Sequence, residues 1–126
     1  MTDPQYHPLV VEHFANPRNA GRLEPGPDVV EGAAGRLEDG VHFVLTARIE
    51  GERVAEVRVE VYGCPHCVAA ASWLSERLIG ASRADLEAWS WREAARSLEV
   101  PAVKRGRLLI LEDSVRALAR AWAGRS

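Results

Sequence analysis

The chain has 126 residues, a net charge of −2 and two cysteines. That length suits one domain, residues 1–126, with enough core to fold without disulfide staples. The near-balanced charge argues against a nucleic-acid-binding face. With no long apolar run and no basic, apolar leader, we expect a soluble cytoplasmic protein with no membrane association.

The first element expected is a short helix over 5–15, QYHPLVVEHFA, ending at Asn16 because a residue before proline avoids helical backbone. Residues 16–27, NPRNAGRLEPGP, read as an ordered turn-rich loop, and 28–34 as a short edge strand. Val41, Phe43, Leu45, Ala47 and Ile49 then alternate with more polar neighbours, as do Val57, Val59 and Val61. This period of two marks two strands with one buried face. The short turn between them, Glu50-Gly51-Glu52-Arg53, makes the pair a hairpin. Partners share a face, so Phe43 pairs with Val59 or Val61, and extending the ladder sets Glu38, Asp39 or Gly40 opposite Cys64.

Three helices are expected next. Cys67, Ala71, Leu74 and Leu78 share a face of the first, which Gly80 ends. Ser82 to Asp85 forms a capping-box-like start for the second, with Leu86, Trp89, Ala94 and Leu98 as its apolar positions. After a break at 99–103, Leu108, Leu111, Val115, Leu118 and Trp122 fall at helical spacing on the last. The fold class is therefore α+β, a small antiparallel three-stranded sheet packed against helices.

Both cysteines lie in VYGCPHCV, residues 61–68. A thiol between a strand and a helix start meets free N–H groups and partial positive charge, which favour thiolate. Thiolate serves disulfide exchange and metal binding alike, so the local context leaves both open. Cys-Pro-His-Cys resembles the active site of oxidising thioredoxin-fold proteins, and Val100-Pro101-Ala102 resembles the proline segment facing such a site. A thioredoxin-like strand belongs to a βαβ unit, however, and here it is one arm of a tight hairpin. A third reading makes both cysteines small core residues. His66, between the thiols, is the histidine placed to act as a ligand or to tune them. His13 reads as structural, His42 as solvated, His7 as part of a frayed terminus, and Arg107 as a surface helix residue.

The motifs HFANPRNAG (13–21), VYGC (61–64), AAASWLSERLIGAS (69–82), EVPAVK (99–104) and LEDSVRA (111–117) run through nearly the whole chain. In that order they resemble the iron–sulfur cluster assembly scaffold family of the IscU and NifU N-terminal type. The resemblance implies a SufE/NifU-like fold and a scaffold rather than an enzyme. It also implies a 2Fe-2S cluster built transiently on three cysteines with help from an aspartate. Its partners would be a cysteine desulfurase, cluster acceptor proteins and an Hsp70-type chaperone that reads the segment at Val100, Pro101, Ala102, Val103 and Lys104.

The chain departs from the family at the ligands. By the resemblance, Cys64 is the central cysteine and Asp39 the aspartate. The first family cysteine would fall within GRLED (35–39), where there is none, and the third with its histidine falls on Gly106-Arg107. This puts a cation where a thiolate belongs and gives Arg107 a second reading, as a charge opposing the thiolates. Cys67 stands where the family has a small residue. Three readings follow. Cys64, Cys67, Asp39 and His66 form an altered site for iron, a cluster or zinc, on a monomer or shared in a dimer. Alternatively, the fold is kept as a partner or regulator of the assembly machinery without a cluster. In the third, the pair does thiol–disulfide or sulfur-relay chemistry, Cys64 receiving a persulfide that Cys67 resolves.

Overall fold

The structure is a computed structural model and describes residues 6–125. Helix α1 spans Pro8–Ala15. Proline at its first position needs no hydrogen-bond partner there, and Nδ1 of His7 accepts the Leu9 amide at 3.1 Å. The helix therefore starts later than expected; Gln5 lies outside the described residues. His7 is not frayed, because its Nε2 also lies 3.0 Å from Glu99.

Strands β1 (Val29–Arg36), β2 (Val41–Glu50) and β3 (Arg53–Tyr62) form one antiparallel sheet in the order β1-β2-β3. The edge strand is two residues longer at its C-terminal end than 28–34 suggests. β3 begins four residues before Val57, because the turn is tighter than expected. Gly51 and Glu52, at φ 58° and 61°, make it. Glu50 pairs with Arg53 and Ile49 with Val54, after which a bulge at Ala55 shifts the register. Val54 is buried before the bulge, and Val57 and Val59 after it. The extra residue thus switches which parity faces the core and sets Phe43 opposite Val61.

Helix α2 (Pro65–Leu78) leaves the end of β3. Its Ala69, Ala70, Ala71, Ser72 and Ser75 are all buried, and such small side chains let α1 and the sheet approach closely. Two helices, α3 (Arg83–Ala88) and α4 (Trp91–Ser97), replace the single one expected over 82–98. Trp89 is extended, and Ser90 with Glu93 starts a second capping box, which restarts the helix in a new direction. Helix α5 (Arg105–Ala123) packs on β1 and β2. Gly32 allows this, since a Cβ there would stand 2.2 Å from the Leu118 amide nitrogen. No helix among the described residues is long and apolar enough to cross a membrane.

The loop after α1 is tied to α2 and β3. The Ser72 hydroxyl accepts the Arg18 amide at 2.8 Å, Asn19 Nδ2 donates to Ser75 Oγ at 3.0 Å, and the Gly21 amide donates to the Val59 carbonyl. Leu23 N–H reaches Thr46 Oγ1, which buries Thr46 on the sheet face that alternation alone leaves polar. His13 is structural as expected, buried with Nδ1 2.8 Å from Ser72 Oγ.

Candidate functional site: a thiol pair beside an arginine

Cys64 caps α2 from extended backbone, Pro65 takes the first helical position, and Cys67 follows one turn on. The two Sγ atoms lie 3.6 Å apart and both thiols are free. Cys67 is fully buried, whereas Cys64 is partly exposed. Gly63 closes over the pair: a Cβ there would stand 2.8 Å from both Cβ and Sγ of Cys67.

The two sulfurs ionise in opposite senses. The Cys67 S–H, donating to Cys64, lowers the Cys64 pKa to about 4 against the cost of burial. The backbone N–H groups of Cys67 and His66, then the charge of Arg107, act in the same direction. That same hydrogen bond, with burial and the adjacent negative charge, holds Cys67 protonated far above the ordinary thiol range. At neutral pH the pair is one thiolate and one thiol.

For Arg107 the structure departs from the simpler of its two readings. The residue is half-buried rather than a surface residue, and its Nε is buried without an acceptor among the described residues. Its charge reaches both sulfurs. The signal was present in the chain, since Gly106-Arg107 falls where the resemblance puts a third thiolate.

The other expected site residues do not join the pair. Among the described residues no three His, Cys, Asp or Glu side chains form a group able to hold a metal ion. The β2–β3 ladder ends at His42–Tyr62, and its register points Gly40, not an acid, toward Cys64. Asp39 lies in a 3-10 turn, Leu37–Asp39, that ends in left-handed backbone at Gly40. Its carboxylate is exposed, 4.0 Å from Arg36 Nε. His66 is buried, packs on Tyr6 with ring centroids 4.9 Å apart, and leaves Nδ1 without a partner among the described residues.

Of the partner segment, Pro101, Ala102 and Val103 are exposed, Val103 at 84%, while Val100 belongs to the core at 1% and Lys104 is half-buried. No described peptide bond is cis. An all-antiparallel three-stranded sheet with no βαβ unit rules out the thioredoxin fold.

Fold and site together define an α+β protein with an ionised thiol at a strand–helix junction. The NifU-like N terminal domain family matches residues 5–126, and the chain belongs to that family. It is 31% identical over 115 residues to iron sulfur cluster assembly protein 1, mitochondrial, of Kluyveromyces lactis, covering 89% of this chain and 64% of that one. It is 37% identical over 123 residues to the bifunctional protein NifU/MnmA of Rubrobacter xylanophilus, covering 94% of this chain and 25% of that one. The chain thus spans less than two thirds of either relative. The iron-sulfur cluster assembly scaffold protein IscU of Azotobacter vinelandii is 29% identical over 117 residues, with 91% of both chains covered.

Two solved structures share the fold. One, from Fervidobacterium islandicum, is described as a candidate iron–sulfur cluster assembly scaffold for the SUF system. It superposes with a TM-score of 0.69 at 15% identity over 90% of this chain and 96% of that one. The other, a nitrogen-fixing NifU-like protein (N-terminal) from Brucella abortus, gives 0.56 at 19% identity over 91% and 81%.

Proposed function

We propose that this chain is a scaffold-type member of iron–sulfur cluster assembly, with Cys64 as its working thiolate. The observation that carries this reading is the ionised Cys64 at the β3–α2 junction of a NifU-like domain, 3.6 Å from a second sulfur. Relatives named for iron–sulfur cluster assembly support it. The cargo is iron and sulfide, held transiently as a 2Fe-2S cluster; zinc is a competing guest for the same soft donors.

One chain offers two thiols and no larger ligand group among its described residues. The remaining ligands then come from outside it, most simply a second copy, which would make four sulfurs. Asp39 and His66 take no part as ligands in this arrangement. The setting is the cytoplasm. A cysteine desulfurase supplies sulfur, acceptor proteins take the cluster, and the exposed Pro101-Ala102-Val103 turn is the place for an Hsp70-type chaperone.

The test is anaerobic loading of the full chain with ferrous ion and sulfide, reading iron, acid-labile sulfide, visible absorption and molecular mass together. The wild type should gain equal iron and sulfide, absorb in the visible and run as a pair of chains. The C64A variant should gain neither, and D39A should load like the wild type. Wild type that holds no more iron and sulfide than C64A would overturn the reading.

A further inference from the structure

We infer that Cys64 and Cys67 form a persulfide-reducing pair: Cys64 takes a sulfur atom from a persulfide donor, Cys67 expels it as sulfide, and Arg107 holds the charge on the departing sulfur. The inference rests on the scaffold reading for its donor class, a protein-bound or small-molecule persulfide. It goes beyond that reading in what it asks of Cys67 and Arg107.

Burial assigns the two sulfurs different tasks. Cys64 is partly exposed, so a donor can reach it, while Cys67 is fully buried. What Cys67 can reach is Cys64, at 3.6 Å, with Gly63 pressed against it on one side. A second thiol buried in the core with the first sulfur 3.6 Å away is badly placed to meet a donor and well placed to attack a sulfur already bound there. Arg107 adds a cation whose Nε is buried without an acceptor. Its charge already acts on both sulfurs of the resting pair, and an N–H donor left free is suited to a further anionic sulfur arriving there.

The chemistry balances without an outside electron source. In the first step the Cys64 thiolate attacks the outer sulfur of the donor, R–S–SH. A Cys64–sulfur bond forms, the donor S–S bond breaks, and the donor leaves as R–S⁻. The Cys64 persulfide then loses its proton to solvent. In the second step Cys67 sulfur attacks Cys64 Sγ and its thiol proton goes to the outer sulfur. The Cys64–Cys67 disulfide forms and HS⁻ leaves past Arg107. The transferred sulfur is reduced by two electrons, which the two cysteine sulfurs supply. An external dithiol resets the disulfide by exchange.

The experiment uses the reduced full chain, free of iron and of other thiols, with a limiting small-molecule persulfide such as glutathione persulfide. Released sulfide and intact protein mass are followed together. The wild type should release one sulfide per sulfur accepted and end as the internal disulfide. The C67S and C67A variants should accumulate chain bearing one extra sulfur and release little sulfide; two variants guard against a folding defect in either. C64S should neither gain sulfur nor release sulfide. R107Q should slow sulfide release by about tenfold or more, the loss of one charge-assisted contact, and R107K should recover part of that rate.

Sulfide release by C67A at the wild-type rate, or a wild type that keeps the extra sulfur, would overturn the inference. Because iron is absent, the outcome is separate from cluster loading. Wild type that loads iron and supplied sulfide but fails here keeps the scaffold reading and loses this one. Wild type that succeeds here but loads nothing does the reverse.

Discussion

The Ser72 hydroxyl on α2 lies 2.8 Å from Nδ1 of His13 on α1, and the same oxygen accepts the Arg18 amide at 2.8 Å. One buried oxygen therefore joins helix, loop and helix, and it does so a turn and a half beyond Cys67. The hydroxyl oxygen has two acceptor sites, so the proton in the Ser72–Nδ1 bond is the serine's or the imidazole's according to the histidine tautomer. Replacing Ser72 by alanine leaves the imidazole nitrogen and the Arg18 N–H without partners. Each such loss costs about 1–3 kcal/mol, so S72A should lower unfolding stability by roughly 2–4 kcal/mol. Urea denaturation checks this; a change below about 0.5 kcal/mol, typical of surface substitutions, would mean the network is ornamental.

His13 gives a pH dependence with a definite sign. Burial, and then the positive charge of Arg18, lower its pKa from the ordinary 6.5, while Glu76 and Glu12 oppose the shift and Arg77 adds to it. Between its lowered folded value and 6.5 the unfolded chain binds a proton that the folded chain does not. Stability from this residue is fully present above 6.5 and declines as pH falls through that window. The H13N variant, which keeps a polar side chain but does not titrate, should show a flatter stability profile below pH 6.5 than the wild type. Identical profiles would sink the assignment.

Two glycines separate the crowding of the site from ordinary helix propensity. A Cβ on Gly63 would meet Cys67 Cβ and Sγ at 2.8 Å, and the Cys67 Cβ is fixed to the α2 backbone and cannot swing aside. G63A should destabilise by about 1–3 kcal/mol, the usual cost of overpacking, and should spread the two sulfurs. Gly106, in the first turn of α5, has nothing within 4 Å of such a Cβ. G106A should be neutral or stabilising by up to about 1 kcal/mol. The comparison of the two melting midpoints fails if both variants move alike.

Much of this architecture is legible in local pattern. Alternating apolar residues announce β2 and β3, and Ser82 with Asp85 announces α3. Ser90 with Glu93 is an equally good signal, hidden because the apolar spacing from Leu86 to Leu98 runs through it without interruption. The thiol pair is legible too, since residues three apart at a helix start must be neighbours. What cannot be read locally is what packing brings to them. The bulge at Ala55 decides the parity of β3, yet parity read from Val57 onward does not reveal it. The turn at Gly40 carries Asp39 toward Arg36 instead of along the ladder. Arg107 sits forty positions from Cys67 in the chain, and it reaches the sulfurs because α5 crosses the sheet, a close approach that Gly32 permits.

The ionisation of the pair yields the sharpest prediction. Alkylation by a haloacetamide follows the thiolate fraction, so the wild type should react at Cys64 with a midpoint at about pH 4. An ordinary thiol has its midpoint near about 8.5. Cys67 should stay unmodified in the folded chain, being both buried and protonated. The causes are ordered, and so are the variants. The Cys67 S–H is the largest influence lowering Cys64 and Arg107 the smallest of those named, so C67A should raise the midpoint more than R107Q. The linked stability follows the same sign. The lowered Cys64 stabilises the fold above the ordinary thiol pKa, and that contribution is lost as pH falls toward about 4. The raised Cys67 acts in the opposite sense, costing stability as pH climbs beyond the ordinary thiol value. Mass spectrometry after timed alkylation from pH 3.5 to pH 9 reads site and rate together, over about the span between those two values. A midpoint close to an ordinary thiol's, or a larger shift in R107Q than in C67A, would show that the sulfur–sulfur hydrogen bond is not what ionises Cys64.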